Sequence, residues 1–147
     1  MWNANEQYGR GEPDCRRYVM PACEPDGCSA PTAQIPAVAT FTIRQRDSWD
    51  YTFDASVWVG ANGNPVVTGA TWAVASGSPQ TPTLTGQAFT AQGVAVVVVT
   101  PANGAKPGDA YWLDLTVTVG AASATTDAPA IPARTFVRRI YIIVTAG

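Results

Sequence analysis

Histidine is absent from this chain of 147 residues, and its absence excludes several kinds of chemistry. Histidine is the commonest general base in enzymes, so neither a Ser-His-Asp triad nor a Cys-His nucleophile pair can be built. Most zinc sites are excluded for the same reason. A phosphate-binding loop is also missing, because Gly60 and Gly63 lack the lysine and the helix that such a loop requires. We therefore predict a protein that is not an enzyme and that binds no cofactor.

Charged side chains are scarce as well, at 14% of the chain, and the formal net charge is -2. Such a balance creates no general field that would attract nucleic acid or an anionic membrane, so we expect neither as a partner. Lys106 is the only lysine, and arginine supplies the other positive charges. Because arginine suits fixed contacts with carboxylates, this usage favours protein interfaces. A folded chain with so few surface charges is expected to be partly covered by another subunit.

Long apolar segments are missing too. The longest apolar run, at residues 94–99, is far too short to cross a bilayer. The first six residues have neither the basic nor the apolar region of a secretory signal peptide. We expect synthesis in a cytoplasm, where the protein stays until something else delivers it.

The composition changes near residue 38, and we predict that residues 1–38 form an extended arm. Five of the twelve prolines lie there and exclude a long helix or a central strand. A disordered tail is the alternative, but the arm also carries large apolar side chains that suit contacts with another subunit. The predicted contact residues are Trp2, Tyr8, Arg16, Arg17, Tyr18 and Met20.

All three cysteines, Cys15, Cys23 and Cys28, lie in this predicted arm. Neither spacing is the C-x2-C knuckle of zinc ribbons and ferredoxins. A metal site would need a fourth ligand from a carboxylate or another chain, so these residues are weak candidates. A disulfide with one cysteine left over is a second possibility. The pattern favours free, partly buried thiols.

From residue 39 to residue 147 the apolar residues recur with a period of two, which predicts β-strands. Turn residues divide this region, and no amphipathic helix is indicated. The expected fold is an all-β, immunoglobulin-like antiparallel β-sandwich of about seven strands, without the usual disulfide. The predicted strands are residues 39–45, 49–59, 66–75, 83–90, 93–100, 111–119 and 134–145.

Several positions carry more specific expectations. The valine-rich run at residues 94–99 is expected in the middle of a sheet, covered on both faces. Gly69 is a candidate bulge and Trp72 a candidate core residue. The pair Arg138-Arg139 predicts either a bulge or the exposed beginning of the last strand.

Three aspartates lie near the start of the second predicted strand, at Asp47, Asp50 and Asp54. Paired carboxylates would suit glycoside hydrolysis or a calcium site. The simpler interpretation is that they solvate one face of the strand and pair with Arg44 or Arg46, and the pattern favours it.

Two tryptophans, Trp58 and Trp112, fall on the polar faces of their predicted strands. Solvent-facing tryptophans can stack on sugar rings, so a glycan-binding module is an alternative function. The favoured interpretation is that loops, the arm or a neighbouring subunit cover both rings.

The stretch from Phe41 to the end resembles small fibre-like or virion-associated proteins of tailed bacteriophages. The resemblance rests on DYTFD at residues 50–54, TGATWAV at residues 68–74, GDAYWLDLTV at residues 108–117 and RRIYIIV at residues 138–144. It implies an immunoglobulin-like module built into a virion, and it carries over no catalytic residues.

The sequence therefore predicts a bacteriophage virion structural protein, foremost a capsid decoration or cement protein whose arm clasps neighbouring subunits. A tail, neck or fibre component is the alternative. The expected partners are the major capsid protein or tail and fibre proteins, and further copies of this chain in a homo-oligomer. The expected location is the virion, after synthesis in the host cytoplasm.

Overall fold

The computed structural model describes residues 16–22 and 37–147, and in this part of the chain β-strands dominate. One short helix, α1 (Ser56–Ala61), lies between the third and the fourth strand. The strands are β1 (Arg17–Val19), β2 (Ala37–Arg44), β3 (Trp49–Asp54), β4 (Val67–Val74), β5 (Thr83–Phe89), β6 (Val94–Thr100), β7 (Ala110–Val119) and β8 (Arg134–Thr145).

The strands form two four-stranded sheets that pack face to face. Sheet 1 has the strand order β1-β3-β6-β5, and sheet 2 has the order β2-β8-β7-β4. Side chains alternate along β7, so that Tyr111, Leu113 and Leu115 are fully buried while Trp112 and Asp114 lie on the outer face. The predicted all-β sandwich is confirmed, and a strand occurs in each of the seven predicted regions.

The sheets are mixed, whereas the sequence analysis predicted an antiparallel sandwich. β1 runs parallel to β3, and β2 runs parallel to β8. The other pairings in the described residues are antiparallel. Both parallel pairs join strands that are not consecutive in the chain, so no hairpin turn fixes their relative direction.

The segment at residues 16–22 belongs to the sandwich, although it was predicted as part of the arm. β1 pairs with the end of β3, and the Met20 N–H donates to the Asp54 carbonyl at 2.8 Å. Met20 is 1% exposed within the core, and the Tyr18 ring lies 5.1 Å from the Phe53 ring. Residues 16–22 therefore pack on the sandwich, and the boundary at residue 38 stays a prediction for the remaining residues of the arm. Only Tyr18 and Met20 point inward in this segment, and two residues are too few to reveal the two-residue period of a strand.

The second predicted strand ends five residues early and is followed by α1. The Asp54 carboxylate accepts the Ser56 N–H at 2.9 Å, which turns the chain, and the Val59 N–H donates to the Ala55 carbonyl. Ala55 and Val59 are both buried, whereas Val57 is 49% exposed. The sequence was misleading because apolar residues at positions 55, 57 and 59 fit a strand, while positions 55 and 59 alone also fit a helix.

The specific expectations for the strands have mixed outcomes. β6 lies between β3 and β5 as predicted, but its outward valines are only half-buried. The bulge near Gly69 is confirmed, and Trp72 is buried at 3% exposure. Both predictions for Arg138-Arg139 are wrong, because these residues pair with β7 in continuous register in the middle of β8. The register shift lies in β2, between Ala37 and Ala39.

The two sides of the sandwich differ in how they are joined. Where β4 meets β5, the Gln87 side-chain amide accepts the Trp72 N–H at 2.9 Å and donates to the Trp72 carbonyl at 3.0 Å. Gln87 thus pairs with β4 as a neighbouring strand would. On the opposite side β2 faces β1 and β3, and we call this side the open seam. There the Tyr51 hydroxyl reaches across to the Thr42 carbonyl at 2.6 Å.

Burial of Met20 predicts that residues 16–22 stabilise the sandwich. We expect Met20→Ala to lower the free energy of unfolding by about 2–5 kcal/mol, because a buried side chain is lost and a cavity remains. Chemical denaturation followed by tryptophan fluorescence measures this change. Val19→Ala, at a neighbouring position that is 47% exposed, is the matched control and should change little. Equal small effects of both variants would contradict the assignment of this segment to the core.

Candidate functional site

Trp49 begins β3 and is exposed at the open seam. Its place in the alternation with Tyr51 and Phe53 would put it on their inner face, but it is 43% exposed while those residues are buried. Trp49 is the first residue of β3, and the buried inner face of the strand begins only after it. Its indole N–H donates to the Asp47 carboxylate at 2.9 Å, and the Arg16 guanidinium lies 4.6 Å from the centre of its ring.

Arg16 is itself held in place by β3. Its Nε–H donates to the Asp50 carbonyl at 2.9 Å, and its guanidinium lies 3.4 Å from the Asp50 carboxylate. The side chain of Arg16 is 11% exposed and that of Asp50 is 38% exposed. A charged group with several fixed contacts therefore lies over the Trp49 ring.

A groove of about 560 Å³ lies beside Trp49 at the open seam. We call it the Trp49 groove. Residues of β2 and the end of β8 form the wall opposite the tryptophan, and Arg44 is exposed there. Its lining residues are Arg16, Thr42, Ile43, Arg44, Asp47, Trp49 and Thr145. A second cavity, of about 520 Å³, shares Asp47 and lies between the loops that follow β2 and β6.

The aspartates have different partners from those predicted. Asp50 pairs with Arg16 and Asp54 with Arg17, rather than with Arg44 or Arg46. The Arg17–Asp54 pair is the more buried, with side chains that are 16% and 10% exposed. Both ion pairs attach residues 16–22 to strand β3.

The environment of Asp54 favours its ionised form. Burial alone would raise the pKa of this carboxyl, but hydrogen bonds from Ser56 and Arg17 and the charge of Arg17 outweigh burial. The net result is a pKa below the usual value of 3.8. Asp54 is thus an anchor for Arg17 and stays charged, whereas a general acid would need a raised pKa.

The two tryptophans proposed for glycan contact both pack against their own chain. Trp58 lies on α1, not on a strand, and its half-buried ring meets Phe136 edge-on at 5.3 Å. The Trp112 ring stacks on Tyr141 at 5.4 Å, and a Cβ atom added at Gly77 would lie 3.1 Å from it. The partly exposed ring of Trp49, at the start of β3, is the position that sequence reasoning missed. The turn residues Asp47 and Ser48 directly before it were the available signal.

The predicted interaction residues divide into two groups. Arg16, Arg17, Tyr18 and Met20 all make contacts within the sandwich. Trp2 and Tyr8 lie outside the described residues, as do the candidate metal ligands Cys15, Cys23 and Cys28. Predictions for these five positions stay predictions.

Residues 16–22 and 37–147 contain no group of three or more carboxylate, thiol or imidazole side chains that could hold a metal ion. In the same residues, no helix has the length and apolar character to cross a membrane. The chemistry that the described site offers is therefore an aromatic ring, arginine cations and hydroxyl groups around an open groove.

Comparison with known proteins identifies no family. No protein-family model matches the chain, and no curated protein matches it. Two solved structures of the endo-fucoidan hydrolase MfFcnA4 from glycoside hydrolase family 107, one of them a variant, show a weak similarity. Each has a TM-score of 0.33 and 14% identity; the matches cover 74% and 78% of this chain but only 13% and 15% of those enzymes. A TM-score this low does not establish a common fold.

The lowered pKa of Asp54 predicts a loss of stability in acid. Its ionised form stabilises the fold fully above about pH 4, the ordinary pKa of an aspartate, and this contribution is lost as the pH falls through the lower folded-state pKa. We expect Asp54→Asn to lower the free energy of unfolding by about 1.5–3 kcal/mol at pH 7, and by less at pH 2. Urea unfolding at both pH values measures this difference.

Asp127→Asn, which removes an exposed carboxylate from a loop, is the matched control for net charge. If Asp54→Asn and the control gave the same pH dependence, the Arg17–Asp54 attachment would have no stabilising role.

Proposed function

We propose that this chain is a non-catalytic structural protein of a bacteriophage particle, foremost a capsid decoration or cement protein. The sandwich would serve as a rigid body, and the residues before Arg16 would clasp a neighbouring subunit. The resemblance of residues 41–147 to virion-associated proteins of tailed phages supports this role. The attachment of residues 16–22 to β3 would give a clasp formed by the residues before Arg16 a fixed point on the sandwich.

This attachment fixes the point from which the clasp would start. Two arginine–aspartate pairs and the buried Met20 fasten residues 16–20 to sheet 1. The residues before this attachment point are 1–15, which include Trp2, Tyr8 and Cys15, and they would form the free end of the clasp. Fully extended, 15 residues span at most about 50 Å. This reach is enough for an adjacent subunit, but it is shorter than the reach of a free arm of 38 residues.

The partners in this proposal are other virion proteins, either the major capsid protein or tail and fibre proteins, and further copies of the chain. A tail, neck or fibre position is the alternative to the capsid, and the number of copies per particle separates them. Glycan binding through Trp58 or Trp112 is less well supported, because both rings contact neighbours in their own chain.

The proposal predicts that deletion of residues 1–15 abolishes attachment without unfolding the sandwich. The deletion leaves β1, Met20 and both ion pairs intact, so the midpoint of thermal unfolding should stay within a few degrees. Full-length and truncated proteins would be added to particles of the encoding phage that lack this chain, and the bound copies counted by quantitative mass spectrometry. Deletion of residues 1–38 is the contrasting variant, and it should destabilise the sandwich itself.

Two results would count against this function. Normal decoration by the truncated protein would disprove the clasp, and absence of the chain from purified wild-type particles would disprove the virion role.

A further inference from the structure

Trp49 is exposed and yet held in place. Its side chain is 43% exposed, while Asp47 accepts its indole N–H and the Arg16 guanidinium lies over its ring. Arg16 is in turn fixed by the carbonyl and the carboxylate of Asp50. A ligand that stacks on a ring already held in one orientation loses less free energy to ordering of the site.

The charges in the Trp49 groove favour an anionic group on the ligand. In the described part of the chain, Arg16, Arg17 and Arg139 each pair with an aspartate, whereas Arg44 has no carboxylate within 4.0 Å. Arg44 is exposed on the wall of the groove, and the Asp47 carboxylate is already engaged by the indole. A carboxylate or sulfate would therefore find its partner at Arg44.

We infer that the Trp49 groove binds an acidic saccharide, with a sugar ring on Trp49 and its carboxylate or sulfate on Arg44. The C–H face of a pyranose is apolar and matches an indole, and its hydroxyl groups match the hydroxyl groups of Thr42 and Thr145. The volume of about 560 Å³ suits a short oligosaccharide. This site is independent of the proposed virion role.

Two other ligand classes fit the groove less well. A peptide that added a strand to β2 would need backbone groups at this edge, but the Thr42 carbonyl already accepts the Tyr51 hydroxyl at 2.6 Å. A nucleic-acid strand requires a row of cations along its backbone, whereas this groove offers two arginines, of which Arg16 already pairs with Asp50.

Isothermal titration of the full-length protein tests the inference. The probes are an oligomannuronate tetrasaccharide for the carboxylate, a sulfated tetrasaccharide for the sulfate and cellotetraose as the neutral sugar. We expect one acidic tetrasaccharide to bind more tightly than cellotetraose. Trp49→Ala and Arg44→Ala should each weaken that binding by roughly tenfold, the effect of about 1.4 kcal/mol.

The controls separate loss of the site from loss of the fold. Arg46→Ala removes an exposed arginine two residues from Arg44 that does not line this groove, and binding should be unchanged. Trp49→Phe keeps an aromatic ring and should keep part of the affinity. Thermal unfolding of each variant should match that of the wild type, because Trp49 and Arg44 are exposed.

Any of three results would overturn the inference. The first is the absence of binding by both acidic tetrasaccharides at millimolar concentration, and the second is equal affinity in wild type, Trp49→Ala and Arg44→Ala. The third is tighter binding of an acidic peptide or a single-stranded oligonucleotide than of either sugar. None of these results bears on attachment to particles, so failure here leaves the virion proposal intact.

Discussion

Burial of alternate side chains between the two sheets is the interaction on which the described structure depends. The inward residues of β6, β7 and β8 are almost completely buried, and the tyrosines among the core residues also fasten the edges. Tyr51 donates its hydroxyl hydrogen to the Thr42 carbonyl, and the Tyr111 hydroxyl accepts the Ala102 N–H at 3.1 Å. Each ring thus contributes apolar area to the core, while its polar end satisfies a backbone group at the rim.

The way in which the sheets meet at their sides decides where a ligand could bind. On one side, the Gln87 amide joins β5 to β4 by two hydrogen bonds to Trp72. On the open seam the Tyr51 hydroxyl bridges the sheets, and a groove lies between β2 and the start of β3. The same side receives residues 16–22, whose arginines neutralise the aspartates of β3. Attachment of the N-terminal segment and formation of the Trp49 groove are therefore two consequences of one open edge.

The sandwich could be predicted because alternation with a period of two is a local signal that repeats over many residues. β7 and β8 carry ten and twelve residues of it, and their register follows once the buried face is known. The signal failed where it was short or ambiguous. β1 has only three residues, and the apolar positions from Ala55 to Val59 suit both a strand and a helix. The parallel pairing of β2 with β8 joins residues about 100 positions apart, for which no local pattern exists.

The sequence by itself determined the fold class, because the spacing of apolar residues records which face of each strand is buried. It also determined which chemistry is missing, since no arrangement of the chain can supply a histidine. Only the tertiary structure decided which charges meet and which of the tryptophans in the described residues is exposed. Arg16 and Arg17 lie 34 and 37 residues from Asp50 and Asp54, so their pairing depends on the placement of β1 beside β3. Exposure of Trp49 depends likewise on where the opposite sheet ends. The position of that end is set by how the two sheets pack, and the sequence of β3 alone does not contain it.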